Sequence, residues 1–351
     1  MEGDDAQNRS DSLKRLRRLL SNPDGSKVTL LGDTMLDRFH HGFANNMNSR
    51  APVPVLKITR SEESPGASAH IAIGLTSFGM SVSFHSSVGD DRAGNSVVDT
   101  LNQNGVDTSN IAIAPERRTL TKIRFIGSRE SLIDQEQILL QADRGPNEPL
   151  PPEISDSLTE SALRSLKDSS ALVISDYDKG VVSESGAHLL ISTANESKIP
   201  SIVDPKLTGL EKSRGATVVI FEKRGLSLLT RRSSSLDTSE TAATLLDEYS
   251  WDAILVLGGL DGVYLYKKNS DPLHLPCLAP AAVQQIGMHD AAGASLALAL
   301  GSGLSIDDAA VLASAACECV LSANTSEEYI DKDTLGLWLD ELSWQMQISD
   351  R

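Results

Sequence analysis

The strongest constraint on this chain is an alternation. Short apolar runs end in turns that carry Asp, Glu or Gly: "KVTLLGD", "SALVISDYDKG", "IPSIVDPK", "ATVVIFEKRG" and "DAILVLGGLDG". Stretches with helical spacing lie between them, including one from about Ser183 to Ser197 and one near Glu240 to Tyr249. This pattern predicts an α/β fold, a Rossmann-like and mostly parallel sheet with helices on both faces. Upstream, "SPGASAHIAIGLTSFGM" opens with Pro-Gly and then places Ala69, Ile73 and Leu75 at helical spacing. "SVSFHSSVGDD" reads as a strand and turn, and Lys27–Asp37 as a buried strand passing into a polar turn.

In such folds ligands collect at the carboxyl ends of the strands. The polar residues directly after each apolar run are therefore the candidates: Asp33 and Asp37, Asp176, Asp204 with Lys206, Glu222, and Gly259 with Gly262. Other β-rich stretches fall outside the alternation. They are the segment from about Phe39 to Arg60, "TLTKIRFIGS" (Thr119–Ser128) and "LIDQEQILLQAD" (Leu132–Asp143). Pro52 and Pro54 exclude helix in the first and favour an edge strand. These stretches predict a small β lid. The expected organisation is an N-terminal extension or short helix over 1–26, one domain over 27–345 with its lid at about 39–60 and 119–143, and a tail at 346–351. "TRRSSSLDTSE" reads as a solvated loop.

Charge narrows the partners. A net charge of −16 repels nucleic acid and anionic membranes, so neither is expected. The three cysteines Cys277, Cys317 and Cys319 include no CxxC pair, which argues against a disulfide framework or zinc site and for a reducing, cytoplasmic setting. The acidic start "MEGDDAQNRSDS" lacks the charged-then-apolar order of a signal peptide. No apolar run approaches the roughly 18 residues of a membrane span. "SLKRLRRLLSN" places Leu13, Leu16, Leu19 and Leu20 at helical spacing beside a basic face. It reads as a short packing helix or, alternatively, a membrane anchor.

Taken together, "LLGDTMLDRF", "APVPVLKI", "SPGASAHIAIGLTSFG", "TKIRFI", "ISDYDKG" and "IVDPK" resemble the PfkB/ribokinase sugar-kinase family. They look most like its heptose-7-phosphate kinase branch, and the resemblance runs in order from about Val28 to Ser322. It implies a Rossmann-like domain with a β lid, ATP and Mg2+ as cofactors, and phosphoryl transfer to a sugar hydroxyl. It also implies a sugar phosphate and a nucleotide as small-molecule partners, and a homodimer or hetero-oligomer formed through the lid. In the family's "DTGAGD" loop the last Asp takes the hydroxyl proton. The glycine N–H groups before it, at a helix N-terminus, stabilise charge on the transferring group. In "QQIGMHDAAGA", Asp290 falls on that Asp, Gly287 on the first loop Gly, Met288 on the Ala and His289 on the second Gly, with Gln284 at the motif's opening Asp. The resemblance implies a sugar side of Asp33, Asp37, Gly66, His70, Lys122, Asp176 and Lys179. It implies a nucleotide side of Asp204, Lys206, Glu222, Gly259, Gly262, Gly287 and His289, with no metal-ligating residue.

The chain departs from the family elsewhere too. "GGAAN" becomes Gly66 to His70, replacing the second Gly and the substrate-binding Asn. "NxxE" becomes Glu222-Lys223-Arg224-Gly225. The Thr before "GxxG" becomes Leu257. Together with Met288 and His289, these changes predict weak or altered transfer, or alternatively a pseudokinase that binds sugar phosphate or serves as a subunit. A third reading keeps the fold and changes the phosphoryl donor. Single roles stay open in the same way. Asp290 is a base or a helix N-cap, Asp37 a sugar contact or a turn-closing carboxylate, and Asp176 with Lys179 a sugar contact or strand-end turn chemistry. Lys206 faces phosphate or solvent. His70 and His289 are new polar ligands or space-fillers. Glu222 meets a metal or pairs with Lys223 or Arg224. The loop Gly287–Asp290 is expected to turn into a helix from near Ala291 to Leu300, with Met288 and His289 narrowing the phosphate pocket.

Overall fold

A computed structural model describes residues 2–23, 25–128, 136–146, 148–233, 237–279, 281–282, 285–323 and 330–349. Strand β1 (Lys27–Gly32) lies in the interior of the main sheet, between β4 (Ser81–Gly89) and β8 (Ala171–Ser175), and is parallel to both. The sheet is completed by β5 (Ile111–Ala114), β9 (Ser201–Asp204), β10 (Val218–Glu222), β11 (Ala253–Leu257), β12 (Val263–Lys267) and β13 (Leu273–Leu275). Its order is β13-β12-β11-β10-β9-β8-β1-β4-β5, parallel from β11 to β5, with β12 and β13 antiparallel at one edge. The mostly parallel sheet expected from the alternation is the one observed.

The two-residue period of each strand divides its side chains between two cores. In β10, Val218 and Ile220 enter one core while Val219 and Phe221 enter the other; in β11, Ala253, Leu255 and Leu257 oppose Ile254 and Val256. The first core is roofed by α1 (Glu2–Ser21), α2 (Ser68–Ser77), α3 (Arg92–Gln103), α8 (Met288–Gly301), α9 (Ile306–Ser322) and α10 (Lys332–Ser349). The second is roofed by α4 (Pro152–Leu166), α5 (Glu184–Glu196), α6 (Lys223–Arg232) and α7 (Thr238–Glu248).

The chain ends are more integrated than their composition suggests. Leu13, Leu16 and Leu20 of α1 are buried in the first core. Its basic face meets acids: Arg15 pairs with Asp308 of α9 at 2.8 Å and Arg17 with Asp340 of α10 at 3.0 Å. The segment is thus a packing helix longer than expected. The separate 346–351 tail is also corrected, because α10 runs to Ser349. Among the described residues, no helix is long and apolar enough to cross a membrane.

A second sheet, in the order β3-β2-β6-β7, forms the lid from β2 (Thr34–Met47), β3 (Pro54–Ala67), β6 (Thr121–Ser128) and β7 (Gln137–Arg144). It begins five residues before the expected Phe39. The chain passes from β1 through Asp33 straight into β2, so Asp37 sits on a lid strand rather than in a polar turn. The Pro-bearing β3 is an edge strand, as expected.

Candidate functional site

A cleft of about 400 Å³ lies between the lid and the strand ends of the main sheet. Asp37, Lys122 and Arg124 line it from the lid; Tyr177, Asp204, Lys206 and Glu222 line it from the strand ends; Gly287, His289 and Asp290 line it from the start of α8.

That start is built around Gly287, whose φ of 89° lies in the left-handed region that glycine enters without penalty. A Cβ at this position would also stand 2.7 Å from the Cε1 of His70. The helix begins at Met288, three residues earlier than expected, and Gly287 is its cap residue. Asp290 therefore lies inside the first turn, which corrects the N-cap alternative. Its Oδ2 meets the Nδ1 of His70 at 3.0 Å, and both residues are buried. Its Oδ1 is buried without a hydrogen-bond partner among the described residues. A carboxylate in the first turn is favoured by the helix dipole.

His70 and His289 are not space-fillers; each meets a carboxylate of the cleft. The Nδ1 of His289 lies 3.0 Å from Asp204 Oδ1, and its Nε2 lies 3.6 Å from Glu222 Oε1. Burial opposes charging this ring, but Asp204 and Glu222 outweigh it and push its pKa up to about 10. The imidazolium therefore persists well above the ordinary histidine range. In turn, the contact with the His289 ring holds the Glu222 carboxyl below its usual range against burial. Glu222 thus pairs with His289, while Lys223 turns to Asp261 at 2.7 Å. Met288 packs into the first core. Gln284, at the motif's opening position, lies outside the described residues.

On the lid side, Asp37 Oδ1 accepts from Arg124 Nη1 at 2.6 Å. Gly66 makes room for this pair, since a Cβ there would lie 2.1 Å from Asp37 Oδ2. Lys122 and Lys206 stand 5.3 and 4.0 Å from the centre of the Tyr177 ring. Burial pushes the Tyr177 phenol well above its usual range, and Asp290, Asp204, Asp37 and Glu222 add to the effect, so the hydroxyl keeps its proton.

Asp33, Asp176 and Lys179 do not line this cleft; they shape the loop that carries Tyr177. Asp33 Oδ2 accepts from the N–H groups of Tyr177 (2.9 Å) and Lys179 (3.0 Å), and its Oδ1 accepts from Val181 (3.1 Å). Asp176 accepts from the N–H of Asp178 and pairs with Lys212 at 2.9 Å. Gly259 and Gly262 close a turn after β11 through a 2.9 Å bond from Gly262 N–H to Gly259 O, beside Gln285 at the cleft rim.

Sequence reading missed Arg124 and Tyr177. Arg124 was accessible, because it stands two residues from Lys122 on a strand and so shares its face. Tyr177 lay inside "SDYDKG", where its charged neighbours drew the attention.

The side chains present do not fit a protein-held divalent cation. Among the described residues, no group of three His, Cys, Asp or Glu is arranged to hold one, and Asp204 and Glu222 are already joined through His289. An anion fits better, because the first residues of α8, whose N–H groups have no partner within the helix, line the cleft together with Lys206.

Comparison with known proteins agrees with this geometry. The chain is 34% identical over 322 residues to the bifunctional protein HldE of Paramagnetospirillum magneticum, a match covering 91% of this chain and 64% of that protein. With HldE of Psychromonas ingrahamii it shares 31% identity, over 85% of this chain and 60% of the relative. The chain thus spans less than two thirds of these relatives. In structure it resembles phosphofructokinase-2 from Escherichia coli in complex with substrates and products, with a TM-score of 0.70 at 17% identity, covering 91% of this chain and 99% of that one. Ribokinase of Arabidopsis thaliana, complexed with ribose and ATP, gives 0.68 at 16% identity, covering 90% and 99%. Those two likenesses establish the ribokinase-like fold. The family profile described as "pfkB family carbohydrate kinase" matches residues 26–332, which includes the main sheet, the lid and the start of α8. On that match, the chain belongs to the pfkB family of carbohydrate kinases.

Proposed function

We propose that this protein transfers a phosphoryl group from ATP to a hydroxyl of a sugar phosphate of the heptose 7-phosphate class, with Asp290 as base. One observation carries the reading: the unpartnered, buried Oδ1 of Asp290 lies in a cleft that gathers Lys122, Arg124 and Lys206, although the chain as a whole has a net charge of −16. The likeness to the HldE relatives supports the choice of sugar. In this reading the substrate hydroxyl gives its proton to Asp290 Oδ1 as its oxygen bonds to the γ-phosphorus and ADP leaves. Lys122 and Lys206 attract the anionic substrate, and the Asp37–Arg124 pair orients its hydroxyls. The first-turn amides of α8 receive the transferring group. No step is assigned to a protein-bound metal.

A second reading, binding without turnover, is supported by His289 at the second glycine position of the anion loop, tied to Asp204 and Glu222. Both readings are tested by following phosphoryl transfer from ATP to heptose 7-phosphate, with binding measured by calorimetry. Asp290→Asn is expected to lower transfer by about 10²–10⁴-fold, the usual worth of a positioned base, while retaining sugar-phosphate binding. An Asp290→Asn rate equal to the parent's refutes the base assignment. Binding with no transfer by the parent establishes the second reading.

We also propose that the lid mediates self-association. Its edge strands β3 and β7 expose Val55, Ile58, Ile138 and Leu140, the last at 58%.

A further inference from the structure

Two departures from the family pattern lie far apart in sequence, Glu222 in place of Asn and His289 in place of Gly. In the structure they are neighbours. The two ring nitrogens of His289 lie 3.0 Å from Asp204 Oδ1 and 3.6 Å from Glu222 Oε1. A neutral imidazole carries a proton on only one nitrogen, so a carboxylate at each nitrogen calls for the cation. Without it, Asp204 and Glu222 would lose the cation that stands between them, leaving Lys206 and Arg224 to offset the charge of Glu222. The loss of the Glu at the end of "NxxE" belongs to the same exchange. Position 225 is Gly, and a Cβ there would meet only ordinary contacts at 3.5 Å or more from Leu207, so space does not force the loss of a carboxylate. Relative to the family pattern, a carboxylate is missing at 225, one is gained at 222, and a cationic ring is placed between it and Asp204.

We propose that His289 is a built-in counter-cation, whose imidazolium fills the gap between Asp204 and Glu222 and closes that carboxylate pair to a hydrated divalent cation. Mg2+ demands near-octahedral oxygen ligation at about 2.0–2.1 Å and gives up its waters reluctantly. To enter here it would have to displace a cation hydrogen-bonded to Asp204 and held 3.6 Å from Glu222. The nitrogens of His289 also point at the two carboxylates rather than converging with them on a common point. The alternative of a metal site made from His289, Asp204 and Glu222 together is therefore disfavoured.

The test is Mn2+ binding in the absence of nucleotide, followed by loss of the free-ion paramagnetic resonance signal. This readout involves no phosphoryl transfer, so the inference can fail while the kinase reading stands, and the reverse. The parent protein is expected to leave the signal unchanged at sub-millimolar Mn2+. His289→Gly opens the carboxylate pair and is expected to bind Mn2+ about ten-fold more tightly or better, and adding Glu222→Gln to it should remove the gain. His289→Gln keeps the volume without the charge and serves if the glycine variant does not fold; it too should gain Mn2+ affinity. Parent binding as tight as that of the His289 variants overturns the proposal. So does a gain that survives Glu222→Gln.

Discussion

Asp33→Ala asks whether one carboxylate holds the loop that presents Tyr177 to the cleft. Asp33 is 2% exposed and accepts three backbone N–H groups, from Tyr177, Lys179 and Val181. Each buried N–H left without a partner costs about 1–3 kcal/mol, so the gross loss is of the order of 3–6 kcal/mol once water repairs part of it. A gain opposes this loss. Burial, reinforced by nearby Asp176, raises the Asp33 carboxyl above its ordinary range despite those donors, so the charged form carries a desolvation cost that alanine removes. The net destabilisation is therefore about 2–4 kcal/mol. With an unfolding entropy of about 2.1 cal/mol/K per residue, a chain of 351 residues has about 0.7 kcal/mol/K in total, so the melting temperature should fall by about 3–5 °C. Scanning calorimetry measures it. Asp33→Asn keeps one oxygen for Tyr177 and Lys179 but turns an amide donor towards the Val181 N–H, and should lose about half as much. A melting temperature for Asp33→Ala within about 1 °C of the parent would show that these bonds do not hold the loop.

Three further outcomes are expected. Gly66→Ala puts a Cβ 2.1 Å from Asp37 Oδ2 and must displace the carboxylate from Arg124. Calorimetry should show sugar-phosphate affinity reduced about ten-fold, the loss of one charge-assisted contact, and unchanged affinity would remove the Asp37–Arg124 pair from the site. His289 has a folded-state pKa raised from 6.5 to about 10, so its contribution to stability is full below pH 6.5 and is lost as pH rises towards 10. Between pH 7 and 10 the parent should therefore lose more melting temperature than His289→Gln, and parallel curves would contradict the ion pairs with Asp204 and Glu222. Light scattering should find a dimer or larger assembly for the parent and a monomer for Ile138→Lys with Leu140→Glu. A parent that is monomeric at micromolar concentration ends the lid-contact proposal.

Much of the architecture was legible because it depends on local periodicity. Apolar runs such as "TVVIF" and "AILVL" can be buried on both faces only in a covered sheet, and both became central parallel strands. The lid was legible for a similar reason, since Pro52 and Pro54 could neither join a helix nor enter a central strand. Its starting point was not. Nothing local separates Gly32 from Thr34; the change of sheet is decided by pairing of Thr34 with Ala67, more than thirty residues away. Leu13, Leu16 and Leu20 announced an amphipathic helix, but the surface it covers was decided by α9 and α10 through Asp308 and Asp340.

The candidate site divides along the same line. From the sequence alone came the alternating strands, the strand-end positions where polar groups collect, the glycine and acid at the head of α8, and the positions where the family pattern is altered. The tertiary structure alone decided what those side chains meet. His70 faces Asp290 across 220 residues of chain, and His289 faces Asp204 across 85. It likewise placed Asp33 behind the cleft and Tyr177 within it. Periodicity is a property of neighbouring residues, whereas the charge state of an imidazole depends on which carboxylates lie within a few ångströms of its ring, and only the folded chain sets those distances.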